Sequence, residues 1–357
     1  MSNGRTYMQR GLPRKAACAR SGTGWSFRCS LLLRKQVLRA ETMKIIVLGA
    51  GVQGTLYAVR LARAGHDVTL IARGTRAAEL RLRGAVIEGA LSARTDTVQL
   101  PILERLSADA HADVCLVAVR REQITEILLD LVAASAIRRF VFMVNHANGS
   151  ERILNALSPA RVVLAFPGAA GRINGGVDQY VEVHQQPTAV DRNAEDIVAL
   201  FRGAGFRVAR VRDMDAWLRR HAIFVTAIAG ALYEAGGDAR RLADSPEGVG
   251  IFIKAVREGW SALDRRGVKP APLALRTILS WIPLPLAIAY WQRLLSSARG
   301  ELYFAAHARH APMEMATLVL DVRELLDDLP TPCLDRLYAA VEAMARERPS
   351  GSPPPKL

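Results

Sequence analysis

Gly49-Ala50-Gly51-Val52-Gln53-Gly54 sets three glycines at G-x-G-x-x-G spacing. These residue types suit one task, bringing main chain close to a diphosphate. The first glycine permits a tight turn and the second removes the Cβ that would hold a phosphate away. The third lets a helix lie close to the strand before it. Free N–H groups and the dipole at the helix start then favour the anion. The pattern carries weight only between a strand and a helix. "KIIVLGA" at 44–50 is a continuous apolar, β-branched run and supplies the strand. Leu56, Val59, Leu61 and Ala62 recur at helical spacing and supply the helix.

The next strand, "HDVTLIA" at 66–72, leads into "RGTR". A site for NAD usually places Asp or Glu there to hold the ribose 2′-hydroxyl. Here the residues are Arg73 and Arg76, and a guanidinium matches a 2′-phosphate bidentately. The expectation is therefore NADP(H), bound by Gly49, Ala50, Gly51, Val52, Gln53, Gly54 and Arg73.

Further strands fall at "DVCLVAV" (113–119) and "RFVFMVN" (139–145), with the helical "EQITEILLDLVAAS" between them. This alternation implies βαβ units and a doubly wound, Rossmann-type parallel sheet. Segments around Val86–Gly89 and Val98–Pro101 read as a hairpin-like excursion. From 161 to 212 short strands and a helix near 193–204 continue the sheet. After Asp213 helical patterns dominate, over 213–235, 246–266, 271–297, 298–327 and 331–347, punctuated by prolines. The expected organisation is a leader at 1–42, a Rossmann NADP-binding domain at 43–212, an all-helical substrate or dimerisation domain at 213–347 and a disordered Pro/Ser-rich tail at 348–357.

"MKIIVLGAGVQGTLYAVRLARAGHDVTLIARG", "LVAVRREQ" and "FMVNHANG" together resemble the ketopantoate reductase (2-dehydropantoate 2-reductase) family. The resemblance runs from Met43 to the last helix and is strongest in the first half. It implies a Rossmann domain, a helical domain and NADPH-dependent reduction of a small 2-oxo acid in pantothenate biosynthesis. Arg120 stands where the family carries a basic residue for the cofactor or substrate anion. Asn145 matches the Asn placed against the nicotinamide or substrate hydroxyl, with Asn148 as the alternative. In "DAWLRRHAIF", Trp217 matches, Arg219 replaces the family's catalytic Lys, and Ile223 and Ala227 replace two Asn residues. Arg219 stays charged because its pKa exceeds about 12. It could stabilise an oxyanion or clamp a carboxylate. His221 is a titratable neighbour able to act as acid. Glu314 falls at the Glu that orients the substrate.

The net charge of +14 invites a nucleic-acid reading, but residues 1–42 hold nine Lys/Arg against Glu41, leaving only +6 for the rest. The partner expected is a small anionic 2-oxo acid, with no nucleic acid. Met43 adjoins the first strand, which favours an upstream in-frame extension over an organelle transit peptide. No stretch reaches the roughly 20 apolar residues of a membrane span, so no membrane partner is expected. "ILSWIPLPLAIAYW" (278–291) is a candidate homodimer surface. Cys18, Cys29, Cys115 and Cys333 lack C-x-x-C spacing and suggest a reducing, cytoplasmic compartment. His307, His310 and Glu314 share i, i+3, i+7 spacing, but Pro312 disturbs the helix between them, so no metal is expected. Two alternatives stand beside the reductase. One is a dehydrogenase of an opine or 3-hydroxy acid type substrate. The other is a non-catalytic NADP-binding sensor or partner-binding protein.

Overall fold

The computed structural model describes residues 41–92, 94–148, 150–268, 276–327 and 329–347. The expectations for the leader and the tail lie outside these residues, but for positions 41 and 42. From Thr42 onwards the described residues belong to the compact unit Thr42–Leu357.

Apolar, β-branched runs form the central strands, β1 (Lys44–Leu48) and β2 (Asp67–Ile71), with helices α1 (Val52–Arg63) and α2 (Gly74–Arg83) after them. The excursion is β3 (Ala85–Gly89) and β4 (Thr95–Val98), followed by the two-residue β5 (Ile102–Leu103). Then come β6 (Ala112–Val117), α3 (Ile124–Ala133), β7 (Ile137–Phe142), α4 (Ser150–Leu157) and β8 (Val162–Phe166). After these lie β9 (Ala169–Asn174), β10 (Val177–Glu182), β11 (Thr188–Asp191), α5 (Glu195–Gly203) and β12 (Val208–Val211). The main sheet has the order β12-β11-β8-β7-β6-β1-β2-β5. Strand order reverses at β1, which pairs in parallel with both β2 and β6. That reversal opens a crevice beyond the carboxyl ends of β1 and β6.

Two features depart from the expected continuous parallel sheet. Strands β9 and β10 leave it and join β3 and β4 in a second sheet of order β4-β3-β10-β9. Strand β11 runs antiparallel to β8, so the main sheet is mixed at that edge. The excursion itself is a hairpin, β3 pairing antiparallel with β4. The main sheet buries both faces. Tyr57, Leu56 and Phe201 lie on one side, and Phe140, Leu131 and Trp217 on the other.

The chain then turns helical: α6 (Met214–Glu234), α7 (Ala239–Ala243), α8 (Pro246–Arg265), α9 (Leu284–Leu295), α10 (Ala306–His310), α11 (Pro312–Leu326) and α12 (Pro332–Glu347). Trp291, Phe252, Met315 and Tyr338 fill their common core. Two expected continuous helices are broken. Thr277–Trp281 is a π-turn that ends before Pro283, and Glu301–Ala305 is a second π-turn leading into α10. Ala311 is non-helical, at φ −132° and ψ 43°, immediately before Pro312. Proline removes a backbone donor and clashes with the preceding turn, so α10 and α11 meet at an angle set by sequence. Among the described residues no helix is long and apolar enough to cross a membrane.

Candidate active site

The glycine turn follows β1 directly. Gly49 has φ +109°, and a Cβ there would lie 2.4 Å from the Ala118 carbonyl oxygen at the end of β6. A Cβ on Gly54 would lie 1.8 Å from the Gly49 carbonyl oxygen. Both positions hold α1 tightly against the sheet. Gly51 differs: nothing lies within 4 Å of where its Cβ would stand. Its residue caps α1 in extended geometry, with no side-chain acceptor on the cap and no acid in the first turn. The first N–H groups of α1 are thus left for an anion, beside open space.

That space is a crevice of about 310 Å³ lined by Gly49, Ala50, Gly51, Arg73, Arg120 and Gln123, among others. Arg73 is exposed on its wall as the N-cap of α2, its Nε donating to the Glu104 carbonyl at 3.4 Å. Arg120 is exposed on the opposite wall, after β6. The cradle fits a dinucleotide, with a diphosphate over Gly51 and a cationic residue at the end of β2.

Two neighbours in the motif take structural parts. The Gln53 side chain donates to the Ala169 carbonyl and ties α1 to β9. Arg76 does not face a 2′-phosphate. It donates to Ala50 O at 3.0 Å, Gly176 O at 3.2 Å and Thr55 Oγ1 at 3.2 Å, and pairs with Asp178. Burial pushes the Asp178 carboxyl up to about 6, against the pull of Arg76. This clasp fixes the glycine turn to the second sheet.

A second polar group forms where α10 and α11 meet the end of β7. Asn145 Nδ2 donates to Glu314 Oε1 at 3.0 Å. Glu314 is buried, and its Oε2 lies 4.0 Å from His307 Nε2 on half-exposed α10. Glu122, in the turn after β6, has a carboxyl raised above its usual range, first by burial and then in part by the charge of Glu314. His310 is exposed and its ring bonds the Ala306 carbonyl, so it does not join His307 and Glu314.

Helix α6 separates the two residues expected to work together. Positions two apart on a helix point roughly 200° apart. Arg219 pairs with Asp215 at 2.7 Å, and Asp215 also accepts from Ser150. His221 faces the other way, stacked on Trp217 at 4.9 Å and tilted against Phe166 at 4.3 Å. Complete burial pushes its pKa down to about 3, helped by the charge of His307.

Residues 45–177 match the family model described as Ketopantoate reductase PanE/ApbA. A 2-dehydropantoate 2-reductase of Pyrococcus horikoshii is 24% identical over 250 residues, 66% of this chain and 80% of that protein. Over these residues the chain is similar to the ketopantoate reductase family. Its fold is that of a PanE/ApbA family ketopantoate reductase from Ralstonia eutropha JMP134, at 21% identity and a TM-score of 0.66 over 85% of this chain and 99% of that one. The same fold is found in a D-mandelate dehydrogenase solved with NADH and anilino(oxo)acetate, at 14% identity and a TM-score of 0.63 over 85% and 99%. Arg219, expected at the family's lysine position, is held in the ion pair with Asp215. His307 and Glu122 carry no motif signal. The spacing of His307 to Glu314 hinted at a shared face, while Glu122 is visible only once α11 is packed on the turn after β6.

Proposed function

We propose that the chain is an NADPH-dependent reductase of a small 2-oxo acid. The observation that carries this reading is the open cradle over Gly51 ending at Arg73 where an acid would select NAD. The first-turn N–H groups of α1 hold the diphosphate, and Arg73 holds the 2′-phosphate. Arg120 offers a cation to the cofactor or substrate anion on the facing wall. When bound, the nicotinamide supplies a hydride from C4 to the keto carbon.

Asn145 fixes Glu314 through its 3.0 Å bond, which leaves the second carboxylate oxygen, 4.0 Å from His307 Nε2, to orient the substrate. The alkoxide that forms on hydride addition needs a proton. His221 is a neutral imidazole near neutrality, since burial holds its pKa at about 3, and has no imidazolium proton to give. Arg219 cannot release one and is engaged by Asp215. We assign the donor role to His307, whose Nε2 faces Glu314 and whose side chain is 39% exposed, open to reprotonation from solvent. His221 and Arg219 then position α6.

The substrate is a 2-oxo acid that need not be ketopantoate. The D-mandelate dehydrogenase neighbour shows the fold in a protein named for a different 2-hydroxy acid. Purified protein mixed with NADPH and a panel of 2-oxo acids including ketopantoate tests the reading. Loss of NADPH absorbance with at least one member supports it. Tight NADPH binding without turnover across the panel overturns it in favour of a sensor.

A further inference from the structure

Helix α11 meets the turns at the ends of β6 and β7 at two points. One is Glu314, which accepts from Asn145, just after β7, at 3.0 Å. The other is Asp321, further along the same helix. Its Oδ2 accepts from Arg121 Nε at 2.9 Å and its Oδ1 from Arg121 Nη2 at 3.3 Å, so a forked pair reaches the turn after β6. Both side chains of the pair are largely buried. Arg121 Nη2 also reaches the Asn148 carbonyl at 3.4 Å. Burial raises the Asp321 carboxyl above its usual range, against the pull of Arg121 and of a hydrogen bond from the Ala147 backbone. Ala147 itself is fully buried in the helical core. One carboxylate on α11 thus grips both turns.

The spacing gives this grip its consequence. Seven residues make about two turns, so Glu314 and Asp321 lie on one face of α11, about 10 Å apart along its axis. A single bond from Asn145 leaves the helix free to pivot about Glu314. A second point on the same face fixes its rotation and its slide together. The apolar contacts of Met315, Leu318 and Val322 hold α11 to the helical core, but such contacts are non-directional. A forked guanidinium–carboxylate pair adds direction to attraction.

We propose that Arg121 and Asp321 are positioning residues for the reduction, their pair setting α11 so that the Glu314 carboxylate meets the substrate in a fixed place. This role rests on the part given to Glu314 under the reductase reading. Neither residue lines the dinucleotide crevice, so the effect falls on turnover and not on cofactor binding.

Asp321→Ala is measured in the full chain and again in a Glu314→Gln background, with saturating NADPH and the 2-oxo acid that the parent reduces fastest. Moving an orienting group by about 1 Å costs up to about 100-fold, so Asp321→Ala should lower kcat at least about tenfold in the parent. In the Glu314→Gln background the same change should cost less than about threefold, because the group it positions is already gone. A merely structural role would cost the same factor in both. Arg121→Ala should match Asp321→Ala, and the double variant should lose no more than the worse single one. NADPH Kd within about threefold of the parent reports an intact fold. If Asp321→Ala does not fold, Asp321→Asn, which keeps the shape and removes the charge, carries the same comparison. An unchanged kcat, or an equal loss in both backgrounds, overturns the proposal and leaves the reductase reading standing. A parent that reduces no member of the panel overturns that reading and this role with it.

Discussion

Replacing Gly54 and Gly51 one at a time by alanine separates the two jobs of the glycine turn. At Gly54 the new Cβ would stand 1.8 Å from the Gly49 carbonyl oxygen. Ordinary contact begins near 3.4 Å, so α1 has to retreat by about 1.5 Å. Forcing extra atoms into a packed site costs about 1–3 kcal/mol. For a unit of this size that is roughly 2 °C per kcal/mol, so melting should fall by about 2–6 °C. At Gly51 nothing lies within 4 Å of the new Cβ, so Gly51→Ala should melt within about 1 °C of the parent. Its methyl group would nevertheless stand where a diphosphate approaches the N–H groups of α1. Losing one or two charge-assisted bonds there weakens NADPH binding about 10- to 100-fold. Thermal melts and NADPH titration of both variants read the two effects. If Gly51→Ala binds NADPH as the parent does, or Gly54→Ala melts like the parent, the cradle described is not the cofactor site or the packing is misjudged.

Arg73→Glu should reverse cofactor preference by at least about tenfold towards NADH, because it replaces a phosphate partner with a 2′-hydroxyl partner; initial rates with the two cofactors measure it. His307→Gln should lower kcat about 100-fold while leaving the NADPH Kd within twofold, and an unchanged kcat would remove His307 from the donor role. Arg219→Lys should bring no gain in turnover, since the side chain faces Asp215; a gain would restore that position to catalysis. His221 should make the fold acid-sensitive. With its folded pKa at about 3 and an unfolded value near 6.5, its contribution is complete above about pH 6.5 and is lost as pH falls. The loss is about 2 kcal/mol by pH 5. His146, at about 4, acts in the same direction, and Asp178, raised to about 6, acts in the opposite one. His221→Phe isolates the single term: relative to the parent, its denaturant-derived stability should rise by about 2 kcal/mol between pH 7 and pH 5.

What could be read from sequence was what local sterics dictate. The glycine turn, the strands around it and Arg73 at the end of β2 follow from backbone geometry and apolar runs. Strand β9 did not, because "AAGRIN" is small and polar and earns its place only by pairing with β10. The second sheet is long-range for the same reason, and with it the Arg76–Asp178 clasp, 102 residues apart. The break at Pro312 is legible in the chain, whereas the long helical pattern over 271–297 hides the one at Pro283. Arg219 and His221 could have been separated by helical periodicity alone. Glu122 could not, since its carboxyl is raised by burial and then by the charge of Glu314, a residue distant in the chain.

The proposed reaction passes a hydride from NADPH, held over Gly51 and Arg73, to a keto carbon oriented by Glu314. NADPH carrying deuterium at both C4 positions, supplied with each 2-oxo acid of the panel, tests this by mass spectrometry of the product. The account predicts a 2-hydroxy acid carrying one deuterium on C2, formed by the parent and about 100-fold more slowly by Glu314→Gln. Product without deuterium, or no product from any member of the panel while NADPH is bound, would contradict it.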